Sequence, residues 1–356
     1  MDDGSLRIAV VAPPWFDVPP RGYGGIEQMV ATLVDGLGAL GHHVTLFAAG
    51  EDGTQAELLR TFRSNPNGLG GPDSLPIELI HAQRAADRMA GLEVDLVHDH
   101  SVVGPLFAPY RRAPTIVTVH GPVVGWMRRL YGALRGVSYV AISDAQRLAA
   151  PELPWIGTVY NGIDVEAAPF REEKEGHLAF LGRMSPDKGA AAAIEVARRA
   201  GRRLLIAAKA SEDDEREYLR TEVEPRLGED AVYLGDLDAE AKMELLAGAR
   251  ALLFPIDWEE PFGLVMVEAM ACGTPVIALR RGSVPEVVED GHTGFVCDSI
   301  EEMVDACGRL DELDPVRVRR RCAERFDGRV MTEGYVDVYR RVSGTHEQAV
   351  VTLPGA

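Results

Sequence analysis

The sequence predicts an α/β protein made of two Rossmann-like domains facing across a cleft, and three observations predict it. The chain has 356 residues, too many for one ordinary core and right for two domains of roughly 150 to 180 residues each. Both halves alternate short apolar runs with segments of helical period, the mark of parallel sheets flanked by helices. The chain also opens with a strand, a glycine loop, a helix and a second strand, which is a βαβ unit. The expected limits are 1–164 for the first domain and 165–328 for the second, with a helix over 329–343 crossing back to the first and a disordered tail over 344–356.

In order, an apolar strand near residues 6–12 ends at Pro13 and Pro14. A loop through Gly22, Tyr23, Gly24 and Gly25 leads into a helix that Gly41 stops, and a strand follows at 44–47. The glycines are not spaced as G-x-G-x-x-G, so a dinucleotide site is not expected. Gly24 and Gly25 at a helix head let backbone N–H groups approach a phosphate or sugar, or else only form a tight turn. Residues 63–76 read as a surface loop. A strand over 94–98 ends in His98-Asp99-His100-Ser101. Its two histidines suit a polar wall, or a shared metal for which no third ligand is near. The strand 114–119 puts His120 at its carboxyl end, where ligands bind in open parallel sheets. Residues 124–135 make an amphipathic helix on the sheet, or a cationic and aromatic surface for an anionic or lipid acceptor. Ser143 or Asp144 caps the helix after strand 138–142, and Asn161-Gly162 marks the turn at the hinge.

The second half starts with a strand at 178–181 and the loop Gly182-Arg183-Met184-Ser185-Pro186-Asp187-Lys188-Gly189. Arg183 as a planar fork and Lys188 as a point charge make a clamp for a diphosphate. A strand over 204–208 ends at Lys209, a charged helix covers 213–226, and Leu237 closes the strand and turn over 232–237. The stretch that organises this half is a strand at 251–254, an acidic turn, a helix over 262–272 and a strand from Pro275. That helix is apolar almost all round, so Glu268 sits where a carboxylate must meet donors from the protein or a ligand. Glu260 precedes the helix, whose first N–H groups, on Gly263, Leu264 and Val265, form an anion site. Eight residues of helix separate the two acids by about 12 Å, which suits a ligand of two or three linked units.

Glu260 and Glu268, with Pro261-Phe262-Gly263 inside the E-x7-E spacing, resemble the retaining nucleotide-sugar glycosyltransferases of family four, including their antibiotic-biosynthesis branch. The resemblance runs over residues 6–342, and its most specific parts are Gly24-Gly25, His120, Arg183, Lys188, Glu260 and Glu268. It implies the GT-B architecture and transfer of a sugar from an NDP-sugar, UDP- or GDP-linked, to a hydroxyl acceptor without a metal or other cofactor. By the same resemblance Arg183 and Lys188 neutralise the departing β-phosphate, Gly24 and Gly25 face the diphosphate, and Glu268 holds the ribose. Glu260 and His120 orient the sugar, main-chain groups near Leu237 bracket the base, and transfer keeps the anomeric configuration. The chain departs from the family's Gly-x-Gly-Pro loop at Lys209, which is expected to reach the nucleotide instead. Acceptor contacts fall to loops at 18–23 and 60–76. A non-catalytic sugar-nucleotide-binding module and a sugar-nucleotide epimerase of the same fold stay open.

Composition narrows the partners. A formal charge of -18 argues against nucleic acid, which needs a basic face. Peripheral membrane contact stays open, while no run approaches a membrane span and the start lacks a signal-peptide pattern. Cys272, Cys297, Cys307 and Cys322 have no metal-like spacing. A cytoplasmic protein is expected, and the oligomeric state is not legible.

Overall fold

The computed structural model describes residues 4–350 except Tyr23 and Asp52, with the side chains of 345–350 also outside the description. The start at Met1 to Asp3, the Tyr23 assigned to an acceptor loop, and residues 351–356 of the expected tail therefore lie outside the described residues. The chain divides into two units, Met1–Gly162 with Gly328–Ala356, and Ile163–Asp327.

Unit 1 holds a parallel sheet of seven strands, β1 (Arg7–Val11), β2 (His43–Ala49), β3 (Glu57–Phe62), β4 (Leu96–Asp99), β5 (Thr115–Val119), β6 (Val137–Ala141) and β7 (Trp155–Thr158). They lie in the order β3-β2-β1-β4-β5-β6-β7. Its helices are α1 (Gly25–Ala39), α2 (Ser74–Met89), α3 (Gly125–Ala133) and α4 (Asp144–Ala149). Side chains alternate across a strand, and the core follows that alternation. Ile8 and Val10 pack with Met29, Leu33 and Leu37 of α1 on one face, while Ala9 and Val11 pack with Ala85 and Met89 of α2 on the other. The sequence reading had no element at β3 or α2. The loop expected over 63–76 gives way to α2 at Ser74.

Unit 2 holds a parallel sheet of six strands, β8 (Leu178–Arg183), β9 (Leu204–Lys209), β10 (Ala231–Gly235), β11 (Ala251–Phe254), β12 (Val276–Leu279) and β13 (Gly294–Cys297), ordered β10-β9-β8-β11-β12-β13. Its helices are α5 (Ala190–Arg199), α6 (Asp213–Tyr218), α7 (Ala239–Gly248), α8 (Leu264–Ala271), α9 (Val284–Val287), α10 (Ile300–Cys307) and α11 (Pro315–Phe326). The helix read over 213–226 is α6 followed by a π turn at Leu219–Val223 and a 3-10 turn at Glu224–Arg226, where Pro225 cannot donate to a regular ladder. The helix read over 262–272 starts at Leu264, because Gly263 takes a left-handed conformation with φ 78° that ends the preceding turn.

The last helix, α12 (Gly328–Val350), belongs to unit 1. It buries Met331, Tyr335, Val338 and Tyr339 against the sheet face that α1 covers. The expectation of a disordered tail from 344 is corrected through Val350, because the helix continues to that residue. All four cysteines are buried and free. Among the described residues no helix is long and apolar enough to cross a membrane, and no group of three or more His, Cys, Asp or Glu stands ready to hold a metal.

Candidate functional site

Each sheet reverses its strand order beside its first strand, between β8 and β11 in unit 2 and between β1 and β4 in unit 1. At such a switch point the loops leaving the two strands diverge, and the crevice at their carboxyl ends takes ligands. In unit 2 the loop after β8 carries Lys188 and the loop after β11 carries Glu260. Arg183 closes β8 and is registered against Lys209, the last residue of β9, and Leu237 lies just beyond β10. Four neighbouring strands therefore deliver Arg183, Lys209, Leu237 and the 255–263 loop to one edge of one sheet.

Local chemistry fixes the two loops against each other. Asp257 N–H donates to the carbonyl of Asp187 at 2.9 Å. Gly189, with φ 81°, comes so close to Pro255 that an added Cβ would strike the Pro255 carbonyl. Lys188 Nζ donates to Glu260 Oε2 at 2.7 Å and lies 4.5 Å from the centre of the Trp258 ring. The Glu260 turn is braced from behind, since Ser283 N–H donates to Glu260 O at 2.9 Å and Ser283 Oγ to Phe262 O at 2.9 Å. Arg183 stands 3.7 Å from buried Glu215 and 3.8 Å from Asp187, which aims its guanidinium without covering it.

Helix α8 begins in this crevice. Gly263, Leu264 and Val265 are partly exposed, whereas 266–271 are buried, so only the positive end of the helix reaches the edge. At its other end, Lys174 Nζ donates to Cys272 O at 2.9 Å and Thr274 Oγ1 at 3.0 Å, and Arg319 Nη1 donates to Ala271 O at 2.8 Å. Cations at the carboxyl end and an open amino end complement the helix dipole at both termini. Glu268, on the second turn, meets Lys242 Nζ of α7 at 2.6 Å. Both acids of the spaced pair thus pair with lysines of the protein, and that pairing alone is also what a purely structural helix would show. Lysine carries three donors, however, so Lys188 and Lys242 can each serve a carboxylate and a ligand oxygen together. Ser185 Oγ and Trp258 Nε1 are buried donors with no protein partner among the described residues.

Unit 1 assembles a second group of the expected residues. Gly24 caps α1 with φ 147°, and an added Cβ would lie 2.8 Å from Pro20; Gly25 is the exposed first residue of α1. His120 follows β5, and Gln146 Nε2 holds its flanks by donating to Val119 O and Gly121 O, both at 2.8 Å. Ser143 caps α4 by accepting from Gln146 N at 3.0 Å. His98 does not bind a metal with His100: its nitrogens pair at 2.7 Å with Tyr339 Oη and Thr118 Oγ1. His100 instead turns to His120, Nδ1 to Nε2 at 2.9 Å. Asp99 steadies this turn through Arg111 at 2.8 Å and Ser101 Oγ at 2.7 Å.

Burial pushes His98 and His120 down to about 3 and holds His100 well below the usual histidine range. These groups bind protons more weakly when folded, so their stabilisation is full above about 6.5 and is lost as pH falls towards about 3. Buried Glu27 acts with the opposite sign. Burial raises it from 4.5 to about 7, so its contribution is full below 4.5 and lost as pH rises through 7. Unfolding measured in urea is expected to show stability falling most steeply below pH 4.5, where the histidines act unopposed, each with a slope of up to ~1.4 kcal/mol per pH unit. Stability that stayed flat down to pH 3 would contradict the assignment.

Sequence reasoning missed Lys242, Glu215, Trp258, Gln146 and the pairing of His100 with His120. Lys242 and Glu268 lie 26 residues apart on different helices, a separation without a sequence signal. Gln146 had one, because it is the third residue after the capping Ser143, but its bonds reach another strand.

The fold and this site define a class, the glycosyltransferases of GT-B α/β fold. A family model described as Glycosyltransferase Family 4 matches residues 23–167, and one described as Glycosyl transferases group 1 matches 164–325. The two matches run through residues 23–325, and over that span the chain is similar to glycosyltransferases of family four and group 1. A phosphatidyl-myo-inositol mannosyltransferase of Mycolicibacterium smegmatis is 28% identical over 95% of each chain. A glycogen synthase of Mycobacterium tuberculosis is 28% identical over 82% of each. The solved structure of AviGT4, a glycosyltransferase involved in avilamycin A biosynthesis, is 27% identical with a TM-score of 0.72, covering 95% of this chain and 98% of that one.

Proposed function

We propose that the chain transfers a sugar from a nucleoside-diphosphate sugar to an acceptor hydroxyl, with retention of anomeric configuration and without a metal. The observation that carries this reading is the convergence of Arg183, Lys188 and the open amino end of α8 at the switch point of unit 2. Two cationic side chains and a helix N-terminus suit the charge that develops on a departing diphosphate, and they act as electrostatic stabilisers of the oxyanion-hole kind. Glu268 accepts from the ribose hydroxyls while Lys242 keeps its charge compensated. Glu260 holds Lys188 in position and takes a sugar hydroxyl, and the N–H groups of Gly263, Leu264 and Val265 meet phosphate oxygens. Lys209 and the main chain near Leu237 face the nucleoside. In unit 1, His120, Gly24 and Gly25 contact the donor. Retention follows if the acceptor attacks from the face that the diphosphate leaves, with a diphosphate oxygen taking its proton.

Calorimetry with UDP, GDP, ADP and dTDP tests the donor half, and the expected result is one clear binder whose affinity is unchanged by a metal chelator. Glu268→Gln should weaken that binder by roughly 1.5 to 3 kcal/mol, the scale of a hydrogen bond to a charged group. If none of the four diphosphates bound, the reading would fall. The anomeric configuration of the product, read by NMR, tests retention separately.

A further inference from the structure

The contact between His100 Nδ1 and His120 Nε2, at 2.9 Å, constrains where protons sit. Two ring nitrogens at that distance share one proton, with one donating and the other accepting. Burial keeps both rings neutral at ordinary pH, so only two arrangements exist. In the first, His120 donates from Nε2. His100 must then carry its own proton on Nε2, a buried atom to which the protein offers no acceptor among the described residues. In the second, His100 donates from Nδ1, and its Nε2 is a bare lone pair. A buried donor without an acceptor is rarer and costlier than an under-used acceptor, which favours the second arrangement.

The surroundings hold His100 where this matters. Its ring packs 4.0 Å from the His98 ring and stacks on His120 with centroids 5.2 Å apart. His98 cannot swing away, because Tyr339 and Thr118 hold both its nitrogens and Thr118 is in turn 2.7 Å from His98 and 3.0 Å from Tyr335 Oη. We propose that His100 is a positioning residue that donates Nδ1–H to Nε2 of His120 and so locks His120 in the Nδ1–H tautomer, presenting a hydrogen-bond donor at the carboxyl end of β5. A donor N–H there selects an oxygen acceptor, such as a sugar hydroxyl or a phosphate oxygen, and disfavours an ammonium group. The effect on transfer rests on His120 contacting the donor, as proposed above; the tautomer does not.

Nitrogen NMR of the histidine rings in the full chain at neutral pH tests the tautomer without any substrate. The expected result is a pyrrole-type Nδ1 and a pyridine-type Nε2 for His120, its signals identified by their loss in His120→Gln. The reverse pattern would overturn the proposal. In transfer assays, His100→Leu should release the tautomer and lower kcat about tenfold, whereas His100→Asn, whose amide nitrogen stands in for Nδ1–H, should restore most of it. Equal loss in both variants, with equal melting temperatures, would also overturn the proposal. The expected NMR pattern with an unchanged rate in His100→Leu would support the tautomer and remove His120 from contact with the donor.

Discussion

Lys188→Ala is expected to lower turnover about a hundredfold to a thousandfold, the scale of removing one preorganised stabiliser of developing negative charge, or ~2.7 to 4 kcal/mol. Lys188 is suited to that role by its surroundings. Its ammonium is fixed between Glu260 at 2.7 Å and the Trp258 ring at 4.5 Å, so little ordering remains when a phosphate arrives. The substitution also leaves Glu260 buried without its cation, which by itself costs about 3 to 5 kcal/mol of stability. The double variant Lys188→Ala with Glu260→Gln separates the two effects. Melting temperature should recover in the double variant while turnover stays low, because the charge that faces the diphosphate is still missing. Steady-state rates equal to those of the parent in either variant would remove Lys188 from the mechanism.

Gly282→Ala should be nearly as damaging although residue 282 touches no proposed ligand. Gly282 has φ 52°, a conformation that costs an L side chain about 1 to 2 kcal/mol. An added Cβ would strike the carbonyl oxygen of Glu260 and lie 2.8 Å from the carbonyl carbon of Glu259. The neighbouring Glu259 Oε2 accepts from Gly282 N at 2.6 Å, so the turn has no free side to move towards. Overpacking of this kind adds roughly 1 to 3 kcal/mol, and a displacement near 1 Å in a catalytic group can reduce rate about a hundredfold. A melting temperature lower by several degrees and a comparable loss of turnover are expected in thermal unfolding and steady-state assays. A variant that matched the parent in both would show that the 259–262 turn is not held from this side.

The parallel sheets were legible because their strands are short apolar runs with glycine or proline at the ends, and because the helix 264–271 is apolar all round except at Glu268. The elements missed, β3 and α2, are half-exposed, and their apolar positions are diluted by Arg, Glu and Gln. In the site, the residues with a sequence signal were those that local spacing places at a strand end, such as Arg183 closing β8 and Lys188 in the loop after it. Their partners were not legible. Glu215 reaches Arg183 and Lys242 reaches Glu268 only because separate helices converge, which a one-dimensional pattern does not record. The deferred start of α8 came from the left-handed Gly263, a backbone choice that glycine permits without announcing.

The placement of α12 bears on how the protein comes into being. Residues Ile163–Asp327 are continuous, so unit 2 has all its strands as soon as they leave the ribosome. Unit 1 begins before unit 2 but keeps Tyr335 and Tyr339 in its core, and these are synthesised only after all of unit 2. Its sheet must wait, with the α12 face and His98 unsealed, until the whole of unit 2 has been translated. The half made first is therefore the half completed last, and its exposed apolar face in that interval is where a chaperone would find the nascent chain.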